Sequence, residues 1–372
     1  MTTRVTFEAA TIGDAMKRAA RVAPAKVGTS FDKAAGIVLD IAPCTDAPCV
    51  VRATDTEVFY IEVLETLTAE GDSCRWRLPS QLMASVIGSI PPTSGRTVTF
   101  SWEGKGPITI TSARMKVQLN LIRGQSYPEW SAIEATSLIN APNLGSSITR
   151  VEWAASKQGP APFNGIMIDG KHIVATDRYR IARTDCEIPL EGDPIIIPAW
   201  SIGSLLKSSG DVLIGTSGNL LVVMPDDYTQ YQVLTLAGPY APVEKAYAMD
   251  YEESVTVNRE ELLRHINAAL QFAGANRDPM VTLWFGRGEL AVHLHNQDVG
   301  MFGDVITVNG QAEHERIKIH FTPKMLLDGL TNAPTTNVRI KYKPEKLKTP
   351  ICIESDAGYT VWCVPRSEIS SS

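Results

Sequence analysis

The chain repeats one plan three times at a period of about 120 residues, and a repeat of that length restricts the fold more than any single motif does. Three segments open with a proline and continue with helically spaced apolar residues: "LPSQLMASVIGSI" from Leu78, "IPAWSIGSLLKSS" from Ile197 and "FTPKMLLDGLTNA" from Phe321. Proline suits the first turn of a helix, where its missing N–H would have no partner, so Pro79, Pro198 and Pro323 each predict a helix start. Buried stripes are expected at Leu82, Met83, Val86 and Ile87, at Ile202, Leu205 and Leu206, and at Leu326, Leu327 and Leu330.

A second helix is expected ahead of each of these. Thr11 to Ala23 places Ile12, Ala15, Met16 and Ala19 on one face, and Asn143 to Gln158 turns Ile148, Val151 and Ala155 inward. In the third copy Asn258 and Glu261 have capping-box spacing ahead of Leu262, Ile266, Ala269 and Leu270. Short β-branched runs broken by turn signals fill the rest and read as antiparallel meanders. Two of them share an acidic joint, "CVVRATDTEVFYIEV" and "HIVATDRYRIAR". Asp55 and Asp177 are expected to hold a turn through bonds to backbone N–H groups, with Asp298 in "VHLHNQDVGMFGDV" as the third copy.

The chain of 372 residues therefore divides into three α+β domains, 1–134, 135–250 and 251–372, each with two helices on antiparallel sheet. No apolar run is long enough for a membrane span and "MTTRVTFEAA" has no signal-peptide core, which predicts a cytoplasmic protein. The six cysteines form no CxxC pair and are expected as free thiols. A net charge of −6 speaks against a surface coated for nucleic acid but allows a local basic stripe. There is no GxxxxGK[ST] loop and no GxSxG elbow, and the lone GxG of "FGRGE" reads as a hairpin turn. His293 and His295 share a strand face without a convincing third ligand. The expectation is no enzyme, no metal and no cofactor.

The tripled helix-and-meander plan, "FNGIMIDGKHIVATDRYRIAR", "LPSQLMASVIGSI" followed by "SYPEW", and "FTPKMLLDGL" before "YTVWCVP" resemble the bacterial DNA polymerase III beta subunit, the DNA sliding clamp. The resemblance runs from Val5 to about Arg366 and is loose enough to suit a divergent, phage-encoded member working in the host cytoplasm.

That family implies three "DNA clamp" domains per chain and a head-to-tail homodimeric ring. Twelve helices about 10 Å apart would line an opening of roughly 28 Å, wide enough for duplex DNA. The function implied is that of a processivity factor, encircling DNA without regard to sequence and tethering the DNA polymerase and clamp loader. Arg18, Arg21, Lys26, Arg150, Lys157, Lys207 and Arg264 are the DNA-facing candidates. At the dimer interface "RMKVQLNL" would meet the third domain near "ALQFAGAN", with Val117 and Leu119 against Phe272. The peptide-binding pocket would comprise Phe163, Thr176, Arg178, Tyr179, Arg180, Ile181, Met325, Val364 and Pro365. The family usually has glycine then histidine after the aspartate where this chain has Arg178 and Tyr179, and its usual C-terminal ending is replaced by Pro365, Arg366, Ser367 and Glu368. The alternatives are a β-rich assembly ring and a hydrolase built on the duplicated acidic loops.

Overall fold

The computed structural model describes residues 2–24, 33–123, 126–134, 137–286, 288–311 and 317–367. Its contacts divide into two compact units, Met1–Gly145 with Ser204–Thr235, and Ser146–Gly203 with Leu236–Ser372. The expected order recurs three times: a strand and a helix, a meander, then a second helix and another meander.

In the first unit, α1 (Ala9–Val22) and α2 (Ser80–Gly88) pack on each other and α1 lies on the sheet. The expected stripe of α1 is fully buried: Ile12, Ala15, Met16 and Ala19. In α2, Met83 and Ile87 are buried but Leu82 stays 49% exposed, so the stripe is narrower than the sequence suggests. The covered side of α2 is the one that meets α1, where Gly13 faces Ile87. A five-stranded sheet runs Thr68–Glu70, Thr3–Glu8, Thr97–Trp102, Ile108–Ser112, Met115–Leu119, with the last strand at an open edge. An eight-stranded sheet joins the meander of Ile37–Ile41, Cys49–Thr54 and Val58–Leu64 to that of Thr229–Leu234, Leu220–Met224 and Val212–Ser217. Its seam sets Val58–Leu64 antiparallel to Thr229–Leu234.

The helix α3 (Leu144–Val151) is followed by a 3-10 turn, Glu152–Ala154, and stops short of the expected Gln158. Ile148, Val151 and Ala155 are buried as their spacing predicted. Pro198 does not start a helix. It closes the strand Ile195–Pro198, and α4 is only Gly203–Leu206. Trp200 sits at φ +60°, a left-handed conformation that no helix continues through, and the Ser201 hydroxyl donates to the Pro198 carbonyl at 2.6 Å. Ile202 and Leu206 are buried nonetheless.

The second unit holds a nine-stranded sheet. From one edge it runs Ile195–Pro198, Gly165–Ile168, His172–Thr176, Arg180–Asp185, Tyr359–Cys363, Ile351–Ser355, Asn337–Tyr342, Glu253–Asn258 and Asn309–Gln311. Its seam sets Arg180–Asp185 antiparallel to Tyr359–Cys363. A four-stranded sheet runs Gly300–Thr307, Glu289–Asn296, Val281–Gly286, Ile317–Phe321. A short helical turn, α5 (Glu244–Tyr247), lies in the segment leading to α6 (Arg259–Leu270). Asn258 caps α6 by accepting from the Glu261 N–H at 3.0 Å. Pro323 begins α7 (Pro323–Asn332), whose Leu326 and Leu330 are buried. No helix among the described residues is long and apolar enough to cross a membrane. All six cysteines are free, with Cys49, Cys352 and Cys363 buried.

Candidate functional site

The acidic joint has the same geometry in both copies. Asp55 Oδ1 accepts from the N–H groups of Glu57 and Val58, and Asp177 Oδ1 accepts from those of Tyr179 and Arg180 at 3.0 and 3.1 Å. The preceding threonines, Thr54 and Thr176, accept from the N–H of Thr56 and Arg178. Those two residues stand at φ +84° and +80°, where a Cβ crowds the backbone. In the third copy Asn296, and not Asp298, does this work: its Oδ1 accepts from the Asp298 N–H at 2.9 Å. An amide oxygen serves as well as a carboxylate here, which is why the acidic signature fades in the sequence while the turn persists.

Arg180 locks the second joint to its surroundings. Its Nε donates to Asp177 Oδ2 at 3.0 Å, Nη1 to Asp328 Oδ2 at 2.8 Å on α7, and Nη2 to the Trp153 carbonyl at 3.0 Å. Its guanidinium also covers the Trp153 ring at 4.9 Å. Both Asp177 oxygens thereby accept hydrogen bonds from the hairpin itself, the arrangement of a side chain that holds a turn. Thr176 donates to the Arg180 carbonyl at 2.7 Å, tightening the hairpin.

Around this joint the structure gathers the expected residues within one compact unit. The Val364 N–H donates to the Tyr179 carbonyl at 3.0 Å, bringing the end of the last strand and Pro365 against the hairpin. Met325, in the first turn of α7, is half-buried, and the Cys363 thiol points at its carbonyl. Arg178 lies over the Phe163 ring at 5.0 Å, and Tyr179 is 61% exposed at the tip. Ile181 packs against two apolar clusters, one of Met167, Val174 and Val243, the other of Ala246, Cys352 and Trp362.

The second cluster brings residues that the sequence reading did not select. Tyr247 and Trp362 stand 5.2 Å apart, and the Arg183 guanidinium lies over both rings. Burial holds the Tyr247 phenol well above its usual range and pushes the Cys352 thiol up to about 12, so both stay neutral. The Tyr247 hydroxyl is buried without a hydrogen-bond partner among the described residues. Trp153 and Asp328, which hold Arg180, were also missed. The only available signal was their place beside the repeated elements. The ending that departs from the family pattern is anchored: Arg366 donates to both Asp278 oxygens at 2.8 Å, and its N–H to the His320 carbonyl at 2.7 Å.

The basic candidates differ in their settings. Arg21, Lys157, Lys207 and Arg264 are exposed, and Arg150 is half-buried. Lys157 leans over the Trp200 ring at 5.6 Å. Arg18 grips buried Glu62 through two bonds, at 3.1 and 2.5 Å, so its charge is balanced within the protein. Lys26 lies outside the described residues. Val117 is half-buried on the open edge strand Met115–Leu119, while Leu119 turns into its own unit and is buried. The Phe272 ring lies 5.8 Å from that of Phe302, tilted to it, on another edge strand, Gly300–Thr307. His293 lies flat on Trp284 at 4.2 Å, and no metal-binding group of three His, Cys, Asp or Glu occurs among the described residues.

No family model matches the chain. It is 23% identical over 283 residues to the Beta sliding clamp of Streptococcus pneumoniae serotype 4, an alignment covering 71% of this chain and 72% of the relative. Among solved structures it resembles the DNA polymerase III beta subunit of Thermotoga maritima, with a TM-score of 0.84 at 17% identity over 98% of this chain and 99% of that one. It also resembles a Pseudomonas aeruginosa sliding clamp bound to griselimycin, with a TM-score of 0.82 at 16% identity over 99% of this chain and 100% of that one. The fold is that of the DNA clamp, matched from end to end.

Proposed function

We infer that this chain is a divergent bacterial-type DNA sliding clamp, a processivity factor that closes head to tail with a second copy around duplex DNA. It would hold the DNA polymerase and clamp loader through the site built on Asp177 and Arg180. Its role is to tether, with no reaction of its own, in the cytoplasm where replication proceeds.

The observation that carries this reading is a rule of strand pairing. In each unit the first meander of one repeat is joined edge to edge with the last meander of the next repeat. Val58–Leu64 meets Thr229–Leu234, and Arg180–Asp185 meets Tyr359–Cys363. Among the described residues two meanders have no such neighbour: that ending in Gly300–Thr307 and that ending in Met115–Leu119. By the same rule each would complete the other's sheet in a second copy, which closes a ring and removes two aggregation-prone edges. The inner seam pairs Ala182 with Val361. Counting from the Asn296 turn and from the Ser112 turn, the same register sets Phe302 opposite Val117, with the Phe272 ring beside Phe302. Three clamp domains, 1–134, 135–250 and 251–372, follow the repeat and give six in the closed ring.

Arg21, Arg150, Lys157, Lys207 and Arg264 would then offer phosphates a loose positive lining. Contacts to phosphate alone carry no sequence information, and few of them leave the ring free to move. The test is topological. Loaded on a nicked circle, the protein should stay bound through a salt wash and be lost when the circle is cut, unless the ends are blocked. Equal retention on cut and uncut DNA would mean an ordinary groove binder.

A further inference from the structure

We propose that the face of the four-stranded sheet turned away from α6 is a docking surface for an extended acidic-and-aromatic segment of a partner protein, received at Lys318, Trp284, His293 and Met301. The repeat supplies the precedent. In all three copies the chain leaves its last strand by donating a backbone N–H to an edge strand: Ile122 to the Arg77 carbonyl at 2.8 Å, Leu236 to that of Ile196 at 2.8 Å, and Arg366 to that of His320 at 2.7 Å. In the first copy it then crosses the outward face of the sheet as a strap. Glu129 pairs with Arg75, the Trp130 ring centre lies 5.4 Å from that of Phe59, and Arg52 donates to the Trp130 carbonyl. In the second copy the Tyr240 hydroxyl donates to the Gly165 carbonyl at 3.1 Å, and Val243 packs with Met167 and Val174 beside Ile181.

The third copy presents the same face without a strap among the described residues. Phe59, Ile181 and Met301 are each the second residue of the strand after the turn, and Arg75 and Lys318 the second residue of matching edge strands. Phe59 and Ile181 are half-buried, whereas Met301 is 67% exposed and Val305, on the same face, 49%. Beside them is a depression of about 220 Å³ lined by Trp284, Ala291, His293 and Val305. Its floor is preset. The His293 ring stacks on Trp284 at 4.2 Å and lies over Gly303, where a Cβ would meet it at 2.9 Å. The Lys318 ammonium stands 4.4 Å from the centre of the Trp284 ring and, unlike Arg75, has no carboxylate partner among the described residues. A cation at one end of an apolar strip suits an acidic residue followed by an aromatic one, the order of Glu129 and Trp130 in the strap. One chain carries this whole face, so the proposal does not rest on ring closure.

The probe is a labelled peptide with the strap's own sequence, Ser126 to Glu134, titrated into the full chain and followed by fluorescence anisotropy. Saturable binding is expected, about tenfold weaker for the peptide with Trp130→Ala and about fivefold weaker with Glu129→Gln, the second difference shrinking as salt rises. In the protein, Met301→Asp should weaken binding about tenfold. Lys318→Glu should weaken it about fivefold, and the peptide with Glu129→Lys should recover that loss, which misfolding could not produce. Thermal melts confirm that both variants fold as the parent does. No saturable binding, or binding indifferent to both substitutions, overturns the proposal. A chain ended at Ser367 that takes the peptide many times more tightly would give the face to the chain's own last residues. A Met301→Asp chain that sediments as a smaller species while binding the peptide unchanged would give it to a second copy. Either result overturns the proposal as well.

Discussion

Thr56 and Arg178 hold the same strained backbone position in two copies of one turn, and neither is glycine or asparagine. A β-branched residue at φ +84° is the costlier of the two. Replacing Thr56 by Asn keeps the backbone N–H bonds of the turn and should raise stability by about 1 kcal/mol, read as a higher urea midpoint with an unchanged slope. A second prediction concerns Glu62. Burial raises its carboxyl above the usual range, against the pull of Arg18. The folded state thus holds that proton more tightly than the unfolded chain, and this contribution to stability fades as pH rises through the folded value. Arg18→Met strands a buried carboxylate, so it should cost about 2 kcal/mol at neutral pH and less in mild acid, where Glu62 takes up its proton. Denaturant midpoints at the two pH values check the sign. At this scale the sequence was informative about turns, because an Asp two or three residues before an N–H acts locally. It was silent on the partners of Arg18 and Arg180, which come from distant parts of the chain.

Among the elements, Arg180 has the widest reach, since one side chain ties a hairpin, a 3-10 turn and the start of α7. Removing it as Arg180→Ala leaves two half-buried carboxylates and an open carbonyl, and should destabilise by about 3 kcal/mol. Peptide binding should be lost while sedimentation still shows the dimer, since both open edge strands lie outside these contacts. The helices were legible wherever the buried stripe was wide, as in α1, whose inward residues follow from spacing alone; in α6 Leu262, Ile266 and Ala269 are buried as expected, but Leu270 is half-buried and His265 joins the stripe unannounced. They were misread where a local conformation cut across the pattern. Trp200 at positive φ undid the helix that Pro198 announced, and a narrow contact left Leu82 outside. The pocket hairpin could be found from its motif. The aromatic pair of Tyr247 and Trp362 could not, because one of the two sits in a segment with weak periodicity.

For the whole molecule the decisive prediction is the third seam. Cysteines placed as Val117→Cys and Phe302→Cys in one chain should cross-link between copies and give a covalent dimer on a reducing-free gel. Val117→Asp should shift sedimentation toward a monomer at micromolar concentration. A double-cysteine protein that links only within one chain would refute the closure proposed above. The two seams already formed have a kinetic consequence. Arg180–Asp185 waits for Tyr359–Cys363, and Val58–Leu64 waits for Thr229–Leu234, each across roughly 170 intervening residues. During synthesis the meander that carries the Asp177 hairpin emerges with a bare flank and must remain so until its distant complement is made. Such a nascent chain is adhesive, and a shielding chaperone or a slow, late annealing step is the natural companion of a protein whose longest sheets are stitched together at the end.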